Sequence, residues 1–396
     1  MTTRIALLGG RPSVLRSAAE LGCKVTMLAK PGMYDPEAAR RWCAEVIDVD
    51  LGDQQAVLEA GRALQGRLPV ARFFSPAELG LVTAARLNEE FSLGGNSLRS
   101  VTLLKDKSAM RRHLEGTGLS PVRFAVVRGA DELAGFLTGI GGPGIVKPLD
   151  YGGSRDVHKV EGPGRAAEVW ARVEAAGRDR MLVEEFLTGH EVSVEGFSAD
   201  GRHTVVAVTD KLLGTGFVEA GHSVPARVDE RTREEIAELT VRLLDAVGLV
   251  EGPSHTEIMI TPDGLRIIES HNRAGGDNIP ELVRLAYGVD LVRAAVAVPL
   301  GIEPWKEEVP APIGGAAIRF LTAEPGVVDE VQLPADGLEG VTLGVKAKPG
   351  MVIPPVTWSA DRVCGEVIAV GRDAEEAVAR AEAAAARILI RTGPAA

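Results

Sequence analysis

Hydrophobic and polar positions change their period several times along the chain, and each change marks an element. Short apolar runs at residues 4–8 and 24–29 flank a stretch, 12–21, with helical spacing, and further strand-like runs follow at 45–49 and 71–74. Strands alternating with helical stretches predict a βαβ pattern and a parallel sheet, because parallel neighbours need a crossover connection. One helix is predicted over 103–118, followed by Pro121 and a β-rich stretch at 122–127, which reads as a change of domain. Strands at 144–147 and 180–185 flank a helix at 165–176, and strands at 191–197 and 204–210 follow. A long helix over 230–248 carries Arg and Glu on one face and Ile, Leu and Val on the other. Residues 255–260 and 265–269 read as two strands of a hairpin whose turn is Thr261-Pro-Asp-Gly264. The Pro- and Glu-rich stretch 304–312 is the best linker candidate, and 314–392 reads as mostly strands ending in an Ala-rich helix at 374–390.

Composition narrows the class. With 396 residues the chain is long enough for several cores, and 45% hydrophobic with 25% charged residues fits a globular, multidomain protein. A net charge of -11 opposes general binding of nucleic acid or anionic membrane, which requires a broad basic surface. Cys23, Cys43 and Cys364 have neither disulfide nor metal-ligand spacing, and the N-terminus lacks a leader-like apolar run. The expected location is the cytoplasm.

Two motifs are missing where a nucleotide enzyme often has them. Gly9-Gly10-Arg11-Pro12 after the first strand lacks the GxGxxG spacing of a dinucleotide site, and there is no P-loop. Phosphate-binding candidates exist all the same. Lys107 follows Leu104-Lys-Asp, and Lys147 ends an apolar strand just before Tyr151-Gly152-Gly153-Ser154, a small loop whose amides can cradle phosphates. Either lysine alone also reads as an ordinary solvated side chain. Glu184, Glu185 and Leu187 lie in Val-Glu-Glu-Phe-Leu, with Glu191 close behind. Carboxylates there suit adenine or ribose recognition beside an apolar strand, and equally suit an exposed hairpin. Glu257 and Glu269 fall on the two hairpin strands at a separation that lets them face each other. Facing carboxylates repel, and a hard divalent cation such as Mg²⁺ relieves that repulsion while bridging phosphates. Arg273 adds a bidentate positive fork, for an acyl phosphate or a structural ion pair.

In this order the elements resemble the ATP-grasp superfamily, over most of the chain and with five motifs in register across more than 150 residues. The resemblance implies an α/β and α+β multidomain fold: an N-terminal parallel α/β domain (1–103), a central subdomain with a lid (104–187), a catalytic antiparallel sheet (188–305) and a mostly β C-terminal domain (306–396). It also implies ATP as cosubstrate, with Lys107, Lys147 and the Gly152-Gly153-Ser154 lid on phosphates. Glu184 would lie near the adenine amine, the backbone of Glu185 and Leu187 at the ring, and Glu191 at the ribose. Glu257 and Glu269 would ligate Mg²⁺, with Mn²⁺ as a substitute. Within the superfamily the chain looks most like the L-amino-acid (dipeptide-forming) ligases, through 208–211, Phe217-Val-Glu219-Ala-Gly-His222-Ser-Val-Pro225 and the C-terminal segments 314–321, 325–326 and 367–371. That likeness implies Glu219 and His222 near an amino acid, and Arg273 as a catalytic group.

One departure concerns the metal. These families usually carry Asn two residues after the second metal glutamate, where this chain has His271, with Asn272 next. Mg²⁺ disfavours nitrogen ligands, so His271 is expected at the metal site either as a ligand or through a bound water or substrate. The implied reaction joins a small carboxylate to a small amine through an acyl phosphate, releasing ADP and phosphate. Bicarbonate activation or purine-type synthesis on the same scaffold, and a non-catalytic nucleotide-binding module, are the alternatives. A homodimer is the analogy's expectation for assembly.

Overall fold

The computed structural model describes residues 2–214, 216–336 and 338–394. Strands β1 (Arg4–Leu8), β2 (Lys24–Leu28), β3 (Cys43–Ile47) and β4 (Arg72–Phe74) form a parallel sheet in the order β3-β2-β1-β4. Its crossovers are α1 (Pro12–Glu20), α2 (Pro36–Trp42) and α3 (Gln54–Arg67), with α4 (Leu81–Glu90) leading out of the sheet. The predicted βαβ pattern is therefore present, and strand sides such as Ile5 and Leu7 are completely buried because helices cover both faces.

The helix expected over 103–118 is two helices, α5 (Leu98–Lys105) and α6 (Lys107–Thr117). Asp106 explains the break. Its extended backbone ends α5, and its side chain accepts hydrogen bonds from the amides of Ser108 and Ala109, capping α6. The break sets Lys107 in the first position of a new helix, and Gly118, at φ 67°, closes that helix in the left-handed conformation.

A small antiparallel sheet follows, β5 (Phe124–Val127), β6 (Gly144–Lys147), β7 (His158–Val160) and β8 (Met181–Glu185), in the order β5-β8-β6-β7. It is packed by α7 (Ala130–Ile140) and α8 (Ala166–Ala175) around Leu133, Leu137, Trp170 and Val183. The next strands, β9 (His190–Ala199), β10 (Arg202–Leu213), β11 (Glu219–Val224), β12 (Gly252–Thr261), β13 (Gly264–His271) and β14 (Gly315–Phe320), lie in an eight-stranded sheet. Helix α9 (Glu230–Val247) buries its apolar face on that sheet together with Leu104, Met110 and Leu114. Helices α10 (Ile279–Tyr287) and α11 (Leu291–Ala297) cover the other side around Phe197, Val224 and Ile318.

The C-terminal part is continuous with this sheet. β14 pairs with β11, and of the remaining strands, β15 (Gly326–Gln332), β16 (Val341–Val345), β17 (Val352–Ile353), β18 (Gly365–Gly371) and β19 (Leu389–Gly393), two extend it as β14-β18-β16. β15, β17 and β19 form a separate three-stranded sheet. Helix α12 (Ala374–Ala385) sets Ala377 and Ala381 against Ala317 and Ala369, small residues that allow close approach. The helix expected to reach 390 stops at Ala385, and residues 389–393 instead pair with β15, which offers backbone partners that outweigh the helical preference of the alanine run. The segment 304–312 is not a loose linker throughout: Trp305 stacks on Phe197, ring centroids 4.2 Å apart, and donates from Nε1 to Thr204. Among the described residues no helix is long and apolar enough to cross a membrane.

Candidate active site

The hairpin of β12 and β13 supplies the floor of the site. Its turn is held by the Thr261 hydroxyl, which donates to the Gly264 carbonyl at 2.7 Å and accepts from the Asp263 amide, while Gly264 takes φ 100°. The resulting register pairs His255 with His271, Thr256 with Ser270, and Glu257 with Glu269. Because side chains alternate between faces, the two histidines and two glutamates share one face, and Thr256 and Ser270 hydrogen-bond to each other on the opposite one.

Both glutamates are neutralised. Glu269 Oε2 meets Lys107 Nζ at 2.8 Å and Oε1 meets His271 Nε2 at 3.0 Å. Glu257 Oε1 meets Lys211 Nζ at 2.9 Å, and Lys211 also binds Glu191 and lies 3.6 Å from Glu219. Burial opposes every charge here. Lys211 nevertheless stays far above the ordinary lysine range because Glu257, Glu191 and Glu219 surround it, and Glu269 is held well below the carboxylate range chiefly by Lys107. Glu191 moves the other way: burial, with help from Glu257 and Glu219, outweighs Lys211 and raises its pKa. His255 sits behind Glu257 with Nδ1 3.0 Å from buried Glu195. Burial alone would lower the His255 pKa, but Glu195 lifts it to about 10, so this ring is an imidazolium at neutral pH. Burial lowers the His271 pKa, with Glu269 opposing the shift.

Above the hairpin, Glu184 on β8 is held between two cations. Arg111 of α6 binds one oxygen and Lys147 of β6 the other at 2.7 Å, and burial is overcome so that the Glu184 pKa falls to about 2. Its carboxylate thus positions Lys147, and both its oxygens are engaged. The Glu185 amide is committed to the Arg123 carbonyl and its side chain to Arg123, whereas the Leu187 amide has no backbone partner among the described residues.

Twelve of the fifteen residues singled out from the sequence line one cavity of about 290 Å³: Lys107, Lys147, Gly152, Gly153, Ser154, Glu184, Glu185, Leu187, Glu191, Glu219, Glu257 and Glu269. Apolar Ile145, Phe186, Met259 and Ile268 share its wall, giving a slot suited to a flat ring beside a charged end. The glycine loop closes over it. Ser154 Oγ donates to the Phe217 carbonyl at 2.8 Å, and the Ser359 amide donates to the Gly153 carbonyl at 3.0 Å. Arg155 lies between the rings of Tyr151 and Trp358, and Asp156 accepts from Arg178, so the two bulky lid residues have defined partners.

The other three stand off that wall. His271 is buried behind Glu269. His222 is buried with Nε2 3.3 Å from Asp277, its Nδ1 without a partner among the described residues. Arg273 opens on a second, larger cavity of about 510 Å³ and ion-pairs with Glu78 at 3.2 Å. Glu78 also binds Lys105 at 2.7 Å, and its pKa falls to about 2: burial opposes the drop, but His271, Lys105 and Arg273 outweigh it.

Sequence reasoning gave no role to Glu78, Arg111, Lys211, His255, Asp277 or Arg362. Arg362, from the C-terminal region, binds Asp277 at 2.6 Å and the Glu219 carbonyl at 3.1 Å and covers the Phe320 ring. Lys211, His255 and Asp277 had a signal, since all three fall inside motifs that were read for their neighbours. Among the described residues no group of three or more His, Cys, Asp and Glu side chains is placed to hold a metal by itself.

Residues 140–281 match the family model of the ATP-grasp domain, and residues 319–393 match that of the L-amino acid ligase C-terminal domain 2. A protein of Sinorhizobium fredii is 29% identical over 289 residues, covering 70% of this chain and 58% of that protein. Alanine-anticapsin ligase of Bacillus subtilis is 25% identical over 281 residues, covering 65% and 59%. The aligned region thus spans less than two thirds of either relative. The crystal structure of an L-amino acid ligase from Bacillus licheniformis superposes with a TM-score of 0.82 over 99% of both chains at 20% identity, which establishes a common fold.

Proposed function

We propose that this chain, which carries an ATP-grasp domain followed by an L-amino acid ligase C-terminal domain, is an ATP-dependent carboxylate–amine ligase with an amino acid as one substrate. The observation that carries the reading is the pairing of Glu257 with Glu269 in a cavity that also presents Lys107, Lys147 and Lys211. Opposed carboxylates and several ammonium groups suit a nucleoside triphosphate with its metal far better than a neutral ligand.

The donor set fits Mg²⁺, or Mn²⁺ in its place, because both hairpin ligands are carboxylate oxygens and now take lysine ammonium groups as stand-in cations. Glu257 and Glu269 would hold the ion, phosphate oxygens would complete it, and His271 would orient Glu269 rather than bind the ion. When bound, the ion neutralises charge on the phosphates.

The chain's own groups do the rest. Lys107 and Lys147 hold phosphate oxygens, the second kept in place by Glu184. The apolar slot holds adenine, with the Leu187 amide available to the ring. A substrate carboxylate oxygen bonds to the γ-phosphorus as the bond to the ADP oxygen breaks, giving an acyl phosphate and ADP. Arg273, at the border of the second cavity, steadies the oxyanion when an amine attacks the acyl carbon; the C–N bond forms, phosphate leaves, and the amine proton passes to a nearby base. Glu219, whose Oε2 is buried without a hydrogen-bond partner among the described residues and 4.0 Å from Arg362, is suited to seat an ammonium group or take that proton. The closed lid keeps water from the acyl phosphate.

A panel of amino-acid pairs assayed for ADP release, with product masses, tests the reading. A product with the summed mass of its two precursors less one water, formed with stoichiometric ADP, is the expected result. If no carboxylate–amine pair stimulates ADP release, the ligase assignment fails.

A further inference from the structure

The loop that joins β6 to β7 carries Gly152, Gly153 and Ser154 over the nucleotide slot, and it belongs to a sheet separate from the eight-stranded one. Within its own subdomain the loop is braced by Arg178, which binds Asp156 at 2.6 Å and lies 4.4 Å from the centre of the Tyr151 ring. Arg155 extends this stack, 5.5 Å from the centre of the same ring and 5.0 Å from that of Trp358 in the C-terminal part. The nearest carboxylate to Arg155, Asp156 at 3.9 Å, is already taken by Arg178, so the Trp358 ring is its defined partner outside the loop. Beside that ring the Ser359 amide donates to the Gly153 carbonyl at 3.0 Å. The turn that presents Trp358 and Ser359 is built as a fixed post. Asp361 accepts from the Thr357 amide at 2.8 Å, the Thr357 hydroxyl at 2.7 Å and the Trp358 amide at 3.2 Å. The strand that follows, β18, pairs with β14 in the eight-stranded sheet. The post is thus joined to the sheet that carries Glu257 and Glu269, and the loop opposite it to the small sheet that carries Lys147 and Glu184. Lifting the lid from the slot breaks the Arg155–Trp358 contact and the Ser359–Gly153 bond together.

We propose that Trp358 is a positioning residue that latches the lid through Arg155, so that this turn of the C-terminal part sets how firmly the nucleotide, and then the acyl phosphate, is shut away from water. The latch itself needs only nucleotide binding; its consequence for the acyl phosphate rests on the ligase reading. When the lid opens early, water adds to the acyl carbon, phosphate leaves and the substrate carboxylate is returned, so ADP and phosphate are released without an amide. A ring face attracts a guanidinium without the strength of a buried ion pair, which suits a contact that must hold during chemistry and part for product release.

The test uses Trp358→Ala, Trp358→Phe, Arg155→Ala and the double alanine variant in the full chain. Arg155 is exposed, so its variant keeps the fold even where loss of the Trp358 ring disturbs the turn. Calorimetric titration with a non-hydrolysable ATP analogue and Mg²⁺ should show affinity lowered about fivefold or more in each single alanine variant, the scale of a cation–π contact. The double variant should be no more than about twofold weaker than the weaker single one, since both changes remove the same contact. Trp358→Phe keeps a ring face and should bind within about twofold of native. With an active substrate pair, the ratio of ADP to amide should stay near one in the native chain and in Trp358→Phe, and rise to about two or more in Trp358→Ala. No analogue binding by the native chain, native affinity in Trp358→Ala, or a Trp358→Phe variant as weak as Trp358→Ala would each overturn the latch. So would losses that multiply in the double variant, because Arg155 would then hold the nucleotide independently of Trp358. A native ratio of ADP to amide in Trp358→Ala would overturn the effect on water. If the titrations behave as expected and no carboxylate–amine pair releases ADP, the ligase reading fails and the latch stands.

Discussion

Replacing Glu184 with Gln should be among the most damaging single changes in this protein, because it leaves two buried cations facing each other. Arg111 is 1% exposed and Lys147 is 6% exposed, and Glu184 is the acid between them. Its pKa is held at about 2 against an ordinary 4.5, which is worth about 3 kcal/mol at about 1.4 kcal/mol per unit. Breaking a buried ion pair by removing one partner costs about 3–5 kcal/mol, in agreement with that figure. Urea unfolding followed by tryptophan fluorescence is a suitable assay, since buried Trp170 packs in the same core as Val183. The Arg111→Met variant completes a double-mutant cycle. Arg111 also donates to the carbonyls of Ile267 and Ile268, so that variant has a cost of its own, and the coupling term isolates the ion pair. We expect a coupling of about 2 kcal/mol or more; a coupling below about 0.5 kcal/mol would refute the reasoning, because well-separated sites deviate from additivity by no more than that. The pH dependence supplies a second check. A depressed carboxylate pKa stabilises fully above the unfolded value and loses its contribution as pH falls through the folded value, so native stability should decline between pH 4.5 and about 2. Glu78 contributes in the same window, so Glu184→Gln should flatten this decline without abolishing it.

The remaining expectations concern turnover. Glu257→Gln and Glu269→Gln should each lower the rate of ADP release by about 100-fold or more and shift the Mg²⁺ titration to higher concentration; activity within a few-fold of native in Glu269→Gln would remove the metal assignment. Gly153→Ala should raise KM for ATP several-fold, since Gly153 sits at φ 70° and a Cβ there would stand 2.3 Å from Ser359 Oγ, adding strain of about 1 kcal/mol or more to the closed lid. Unchanged nucleotide affinity in that variant would show that the lid does not contribute. Arg362→Met should leave Asp277 half-paired and lower kcat/KM for the carboxylate substrate about tenfold through His222 and Glu219, with KM for ATP unchanged. Equal losses for ATP and carboxylate would mean a general loss of structure instead.

Much of the scaffold was legible because it is local. Alternation of period gave the parallel N-terminal sheet, and the Thr261-Pro-Asp-Gly264 turn fixed the hairpin register that sets Glu257 opposite Glu269. Local rules also failed where a neighbour intervened: Asp106 capped a new helix inside a continuous helical pattern, and β15 drew residues 389–393 out of an Ala-rich helix. The partners of the functional groups were out of reach for a different reason. Arg273 meets Glu78 across 195 residues, and Arg362 meets Asp277 across 85. No short-range pattern encodes such pairings, because any buried charge needs a counter-charge and many residues of the right sign are available. The sequence by itself determined the strands of the N-terminal sheet, the register of the hairpin that pairs Glu257 with Glu269, and which residue types bear the chemistry. Only the tertiary structure decided which charges meet, because burial makes an unpaired charge so costly that packing, rather than order along the chain, selects its partner.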